Sequence, residues 1–209
     1  MSNAQHLVLG THNVKKASEL RLMLEPLGFS VQTLADFPNA MDVVEDGTTF
    51  AQNAALKATQ QAIHLDAWVV GEDSGLAVDA LNGEPGIYSA RYASLDSDTN
   101  AGDEANNLHL LKQLENVPLE KRTAHYVCHM ALSDPEGNIV VSCEAYCQGR
   151  IRLEPVGSGG FGYDPLFEIV ELHKTFGQLG PSVKAMISHR ARALRMFVRL
   201  LAKTDRQPS

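Results

Sequence analysis

Apolar positions in this chain alternate between short continuous runs and helical spacing. "HLVLG" (6–10) predicts a buried first strand, followed by a polar turn "THN". Ala17, Leu20, Leu24 and Leu27 then recur three and four apart, the pattern of one helical face, and Gly28 supplies the stop. "FSVQTL" (29–34) alternates as a second strand does. Phe50, Ala54, Ala58, Ala62 and Leu65 predict a helix from about 50 to 65, with Thr49 as its cap and Gln52 closing a capping box. "AWVVGED" and "GLAVDAL" predict strands on either side of the adjacent carboxylates Glu72 and Asp73, and a helix follows at about 104–114. "TAHYVCHMALSD" and "IVVSCEAYCQG" predict two long strands joined by a turn around Glu136-Gly137-Asn138. Ile187, Ala191, Leu194, Val198 and Leu201 mark the buried stripe of a last helix at about 183–203.

Strands and helices alternate early and a long hairpin comes late, which predicts an α/β fold built on a mixed sheet flanked by helices. With 209 residues, 44% of them hydrophobic, the chain is long enough for one sizeable domain over 1–209, or for two lobes sharing a core, an arrangement with room for a cleft. Residues 93–104 are polar and acidic and read as a mobile surface connection; 204–209 read as a frayed, disordered tail.

Charge and composition narrow the functions. A net charge of −7 argues against gripping a nucleic-acid polymer, yet leaves room for a small phosphorylated ligand held by a local cluster of donors. No apolar stretch approaches the roughly 18 residues of a membrane span, and no signal peptide is evident, so a soluble, cytoplasmic protein without membrane contact is expected. The three cysteines, Cys128, Cys143 and Cys147, are then reduced thiols. With His125 and His129 they match no zinc spacing.

Several segments carry candidate chemistry. The strand-to-helix turn "GTHNVKK" (10–16) is not a Walker loop, because Lys15 stands where the second Gly belongs and Ala17 replaces the hydroxyl. It still offers backbone N–H groups, the positive end of a helix and the Lys16 ammonium to an anion. "GSGGFGYDP" (157–165) lets backbone approach a ligand closely and presents Phe161 and Tyr163, an aromatic pair suited to stacking on a planar base. Ser188, His189 and Arg190 are consecutive, cover about 300° of a helix, and so cannot all face solvent; with Lys184 they form a potential donor cluster. Glu45, Glu72 and Asp73 are the carboxylates suited to a hard cation, which needs few protein ligands when phosphate and water complete its shell.

The order of these segments is more specific than any one of them. Thr11-His12-Asn13-Val14-Lys15-Lys16, "EDGTTFAQNAALKA" (45–58), "EDSGLAVDALNGEPGIYSARYA" (72–93), "GGFGYDPLF" (159–167) and "KAMISHRARAL" (184–194) resemble the inosine triphosphate pyrophosphatase family, the dITP/XTP pyrophosphatases, over essentially the whole chain. The resemblance implies an elongated mixed sheet in two lobes with the nucleotide between them, Mg²⁺ as cofactor, a homodimer, and hydrolysis of ITP, dITP and XTP to monophosphate and pyrophosphate. The turn Thr11, His12, Asn13, Val14, Lys15 and Lys16 would meet the triphosphate together with Lys57 and Ser74. Phe161, Gly162, Tyr163, Asp164, Lys184, His189 and Arg190 would form the base pocket. Glu45 and Asp73, and by proximity Glu72, would serve the metal; Asp73 would accept the proton, and Lys16 would act beside it.

The sequence departs from the family pattern at four places: His12 and Lys15 replace Gly, Gln52 replaces Glu, and Glu72 replaces Asp. Hypoxanthine and xanthine carry an oxygen at position 6 where adenine carries an amino group, so donors such as His189 and Arg190 would leave adenine mispaired. Two other readings fit the same residues: a nucleotide-binding sensor that has lost turnover, motivated by Gln52, and a pyrophosphatase for modified pyrimidine triphosphates, since stacking on Phe161 tolerates any base.

Overall fold

The computed structural model describes residues 5–95, 102–204 and 208. Half of the expected connection at 93–104, residues 96–101, and most of the tail lie outside the described residues. Seven strands form one mixed sheet in the order β2-β1-β3-β4-β5-β6-β7. They are β1 (Gln5–Leu9), β2 (Phe29–Thr33), β3 (Val69–Val78), β4 (Thr123–Ser133), β5 (Ile139–Ile151), β6 (Phe167–Ile169) and β7 (Lys174–Thr175). β1 runs parallel to β2 and β3, whereas β6 is antiparallel to β5 and β7. The helices are α1 (Val14–Leu24), α2 (Phe50–Leu65), α3 (Gly102–Gln113), α4 (Pro181–Ile187) and α5 (His189–Leu201).

The chain divides into two compact units. The first comprises Met1–Asp73, Cys128–Ala145 and Arg190–Ser209; Leu7, Leu9, Leu20, Leu24, Val70, Met130 and Phe197 pack in its main core. The second comprises Ser74–Val127 and Tyr146–His189, packed around Leu76, Leu110, Tyr126, Phe167 and Phe176.

Local signals account for most element ends. Gly28 adopts φ +90° directly after the short 3₁₀ turn Glu25–Leu27 that closes α1, which is the left-handed stop expected of it. Asn13 caps α1 by accepting from the Lys16 N–H at 3.1 Å, and Thr49 caps α2 by accepting from the Gln52 N–H at 3.2 Å. The Gln52 side chain departs from the expected box. Its oxygen accepts from the Thr48 N–H at 2.7 Å and the Thr48 hydroxyl at 2.9 Å, one residue earlier than a capping box requires.

Two expectations give way. Glu72 and Asp73 do not separate two strands; both lie inside β3, with side chains that are 1% and 7% exposed as residues. Nor is the last helix continuous. Ser188 is extended at φ −64°, ψ 159°, so α4 ends and α5 begins on either side of it. That break lets Ser188, His189 and Arg190 all be buried, which one regular helix surface does not allow. Arg192, Arg195 and Arg199 stay exposed along α5, while Ala193, Leu194 and Phe197 face inward.

Candidate active site

In the first unit the charged residues sort onto the two faces of β3. Adjacent strand residues point opposite ways. Asp73 therefore meets α2: its Oδ1 lies 3.2 Å from Lys57 Nζ, and its Oδ2 accepts from Asn53 Nδ2 at 3.2 Å. Lys57 Nζ also lies 2.7 Å from Glu45 Oε2, so one ammonium bridges two carboxylates carried by different segments. Gly71 makes this approach possible, since a Cβ there would overlap the Ala54 carbonyl of α2.

Burial dominates the electrostatics. Loss of solvent pushes the Asp73 carboxyl above its ordinary value; Lys57 and Lys16 pull it back, and the nearby Glu45 and Glu72 push it up again. The same burial works against the Lys57 ammonium, but Asp73 and Glu45 outweigh it and hold the lysine protonated above its usual range.

Glu72 faces the other way. Its Oε2 lies 3.0 Å from Lys16 Nζ, and its Oε1 is 3.3 Å from two nitrogens of Arg190. Arg190, 1% exposed, also pairs with Glu19 through Nη1. Burial disfavours its charge, and Glu72 and Glu19 more than compensate, raising its pKa. Cys128 Sγ lies 3.4 Å from Glu72 Oε1; burial first, and that carboxylate next, push the thiol well above its ordinary range.

The turn before α1 is well defined. The Thr11 hydroxyl accepts from the Asn13 N–H at 3.1 Å, a local turn that presents the start of α1. His12, exposed, lies 3.3 Å from Asp42; Val14 and Lys15 are exposed, and Lys16 is half-buried.

In the second unit, Asp164 organises the glycine-rich loop. Its Oδ2 accepts from the Phe161 N–H at 2.9 Å and from Lys184 Nζ at 2.6 Å. Lys184 Nζ in turn stands 4.5 Å from the Phe161 ring centre. Asn107 donates to the Gly162 carbonyl at 3.0 Å, and the Tyr163 hydroxyl donates to the Ser89 carbonyl at 2.8 Å. His189 stacks on Tyr126 with centroids 4.6 Å apart and rings 12° from parallel. Ser74, half-buried on β3, also belongs to this unit.

The sequence-predicted residues thus gather in three groups: Lys57 with Glu45 and Asp73, Lys16 with Glu72 and Arg190, and the Phe161–Asp164 loop with Lys184. Glu72 is turned from the Lys57 group by strand alternation, and Gln52, exposed, lies outside it as well. Asn53, Glu19 and Tyr126 were not anticipated. Asn53 had a readable signal: with Lys57 and Gln61 it forms a polar row four residues apart on an alanine-rich helix, and all three are buried.

The Lys57 group suits a hard divalent cation. Its acceptors are carboxylate oxygens from separate segments, the donor type Mg²⁺ selects, and phosphate and water would fill the remaining positions. Among the described residues there is no cluster of three or more His, Cys, Asp or Glu side chains placed to hold a metal ion, so the fit is to two protein carboxylates.

A seven-stranded mixed sheet flanked by helices defines an α/β protein, here with a lysine-bridged carboxylate pair on one face of its third strand. Residues 7–200 match the model of the Ham1 family, and the chain belongs to that family. It is 54% identical over 198 residues to a dITP/XTP pyrophosphatase of Rhodopirellula baltica, covering 95% of this chain and 93% of the relative. It is 47% identical to a dITP/XTP pyrophosphatase of an Exiguobacterium species, covering 90% and 93%. Among solved structures, a HAM1 protein from Coxiella burnetii superposes with a TM-score of 0.85 at 33% identity, covering 95% of this chain and 99% of that one. The Staphylococcus aureus Ham1 protein superposes at 0.82 with 37% identity, covering 95% and 98%. The resemblance read from five ordered blocks is borne out.

Proposed function

We propose that this chain hydrolyses the deaminated purine nucleoside triphosphates ITP, dITP and XTP to monophosphate and pyrophosphate, removing them from the nucleotide pool. The observation that carries the reading is Lys57 held between Glu45 and Asp73, in a chain 54% identical to a dITP/XTP pyrophosphatase. In this reading a water oxygen bonds to a phosphorus flanking the α–β bridge, the bridging P–O bond breaks, and Asp73 takes the water's proton. A raised carboxyl pKa suits a general base working near neutral pH. Lys16 and Lys57 neutralise phosphate charge, and the Thr11–Lys16 turn offers its N–H groups. Glu45 and Asp73 would hold Mg²⁺, which when bound screens the triphosphate and polarises its oxygens.

Phe161 stacks on the base, and Lys184 and His189 donate to the oxygen at position 6. The family resemblance adds Arg190, which here pairs with Glu19 and Glu72, to the base contacts. No helix among the described residues is long and apolar enough to cross a membrane, and the net charge is −7; these support a cytoplasmic enzyme without a nucleic-acid polymer as partner. The homodimer rests on family resemblance, and light scattering of the pure protein tests it.

The deciding assay incubates the protein with Mg²⁺ and ITP, dITP, XTP, ATP or GTP and measures pyrophosphate. Strong preference for the first three is expected. Equal rates on ATP and GTP would remove the substrate assignment.

A further inference from the structure

We propose that Asn53 is a positioning residue that fixes the Asp73 carboxylate and ties it to the segment carrying Glu45; this rests on the reading of Asp73 given above. Asn53 is 3% exposed and uses both ends of its amide. Nδ2 donates to Asp73 Oδ2 at 3.2 Å, and Oδ1 accepts from the Gly47 N–H at 2.9 Å. The orientation of the amide is fixed by these neighbours. Turned over, it would set an oxygen against a carboxylate and an NH₂ against an N–H.

The two bonds close a ring of contacts. Asn53 and Lys57 stand one turn apart on α2 and both hold Asp73. Lys57 also holds Glu45, and Asn53 holds Gly47 two residues further along. Glu45 is itself exposed on a segment without regular structure. Gln52 at Thr48 and Gln61 at the Met41 carbonyl also hold this segment to α2; the Gly47 bond is the one made by the same side chain that holds Asp73. Asn53 does this without adding charge, so one Asp73 oxygen is pinned by a neutral donor while lone pairs on both stay available. An error of about 1 Å in such a group costs roughly 100-fold in rate, which is the gap the tether closes.

Two variants separate the two ends of the amide. Asn53→Ala removes both bonds. Asn53→Asp, nearly isosteric, keeps an acceptor for Gly47 and turns an oxygen towards Asp73. For Asn53→Ala we expect kcat to fall roughly 10- to 100-fold, KM to stay within about threefold, and hydrogen exchange across 41–49 to quicken about fivefold. For Asn53→Asp, measured at alkaline pH so that both carboxyls are ionised, exchange should stay near that of the unmodified protein while kcat falls at least as far.

Full turnover in Asn53→Asp overturns the inference, as does Asn53→Ala with lowered melting temperature but undiminished kcat. If Asn53→Ala does not fold, Asn53→Asp decides alone. Asp73→Asn serves as the control. If it retains turnover while the Asn53 variants lose it, the role given to Asp73 fails, not the tether.

Discussion

Glu72 and Asp73 are consecutive residues on one strand and serve opposite faces: Asp73 Oδ1 lies 3.2 Å from Lys57, while Glu72 Oε2 lies 3.0 Å from Lys16. Two carboxylates on one face would repel and compete for one lysine. Alternation gives each its own cation, and a third, Arg190, balances Glu72 from behind. The pair therefore has two jobs, which mutation should separate.

Asp73→Asn is expected to lower kcat by about 100-fold or more, the range of a lost general base, with the fold intact. The variant keeps a side chain of the same shape beside Asn53 and Lys57, so circular dichroism and melting temperature should change little while pyrophosphate release collapses. Unchanged turnover would remove Asp73 from the chemistry.

Glu72→Leu should act on stability first. It leaves the Arg190 guanidinium, 1% exposed, with Glu19 as its remaining carboxylate in this network. Breaking one partner from a buried pair costs about 3 kcal/mol, and Glu72→Gln, which keeps a hydrogen-bond acceptor, should cost less. Urea unfolding midpoints measure both; a Leu variant as stable as the parent would show that the network adds nothing to stability.

These residues also show what the sequence could disclose. The bounds of α2, Phe50–Leu65, were legible because a cap and an apolar spacing are local signals. The continuity of β3 was not, since two acids inside an apolar run read as a turn. What keeps them in the strand is distant: Lys57 is 16 residues from Asp73, and Arg190 is 118 from Glu72. The break at Ser188 was hidden for a related reason. No Gly or Pro marks it, and only the burial of His189 and Arg190 explains it. The five blocks named the candidate residues; the partition of Glu72 and Asp73 between two strand faces required the fold.

Acid should unfold the protein partly through Glu168. The Arg150 hydrogen bond at 2.6 Å is the first cause of its lowered pKa; burial opposes this, and the charges of Arg150 and Arg152 add to it. A carboxyl depressed on folding stabilises the native state fully above its unfolded pKa and loses that contribution as pH falls through the folded value. The stability gap between the parent protein and Glu168→Gln should hold from pH 7 down to about pH 5 and narrow below it. A constant gap down to pH 3 would contradict the assignment.

The cysteines should be silent in the folded protein. Cys128, Cys143 and Cys147 are all buried; burial and the Glu72 charge raise the first thiol, and burial pushes Cys143 up to about 11. Reactivity follows the thiolate. Ellman's reagent at pH 7.5 should therefore titrate no thiol promptly in the native protein and all three in denaturant. Prompt native labelling would show that at least one of the three is reached through opening of its surroundings.

Gly160→Ala tests the glycine-rich loop without replacing any residue assigned to the base pocket. Gly160 sits at φ +77°, and a Cβ added there would overlap the Asp164 carboxylate. That carboxylate holds both the Phe161 N–H and the Lys184 ammonium. The methyl group therefore forces either the loop or Asp164 to move, and with it the Phe161 ring and the Lys184 ammonium 4.5 Å from its centre. The Lys57–Asp73 pair is formed by other segments and is left intact. KM for ITP should rise about tenfold or more while kcat changes much less, the signature of lost binding shared by ground and transition states. A fall in kcat at unchanged KM would instead place this loop in the chemical step.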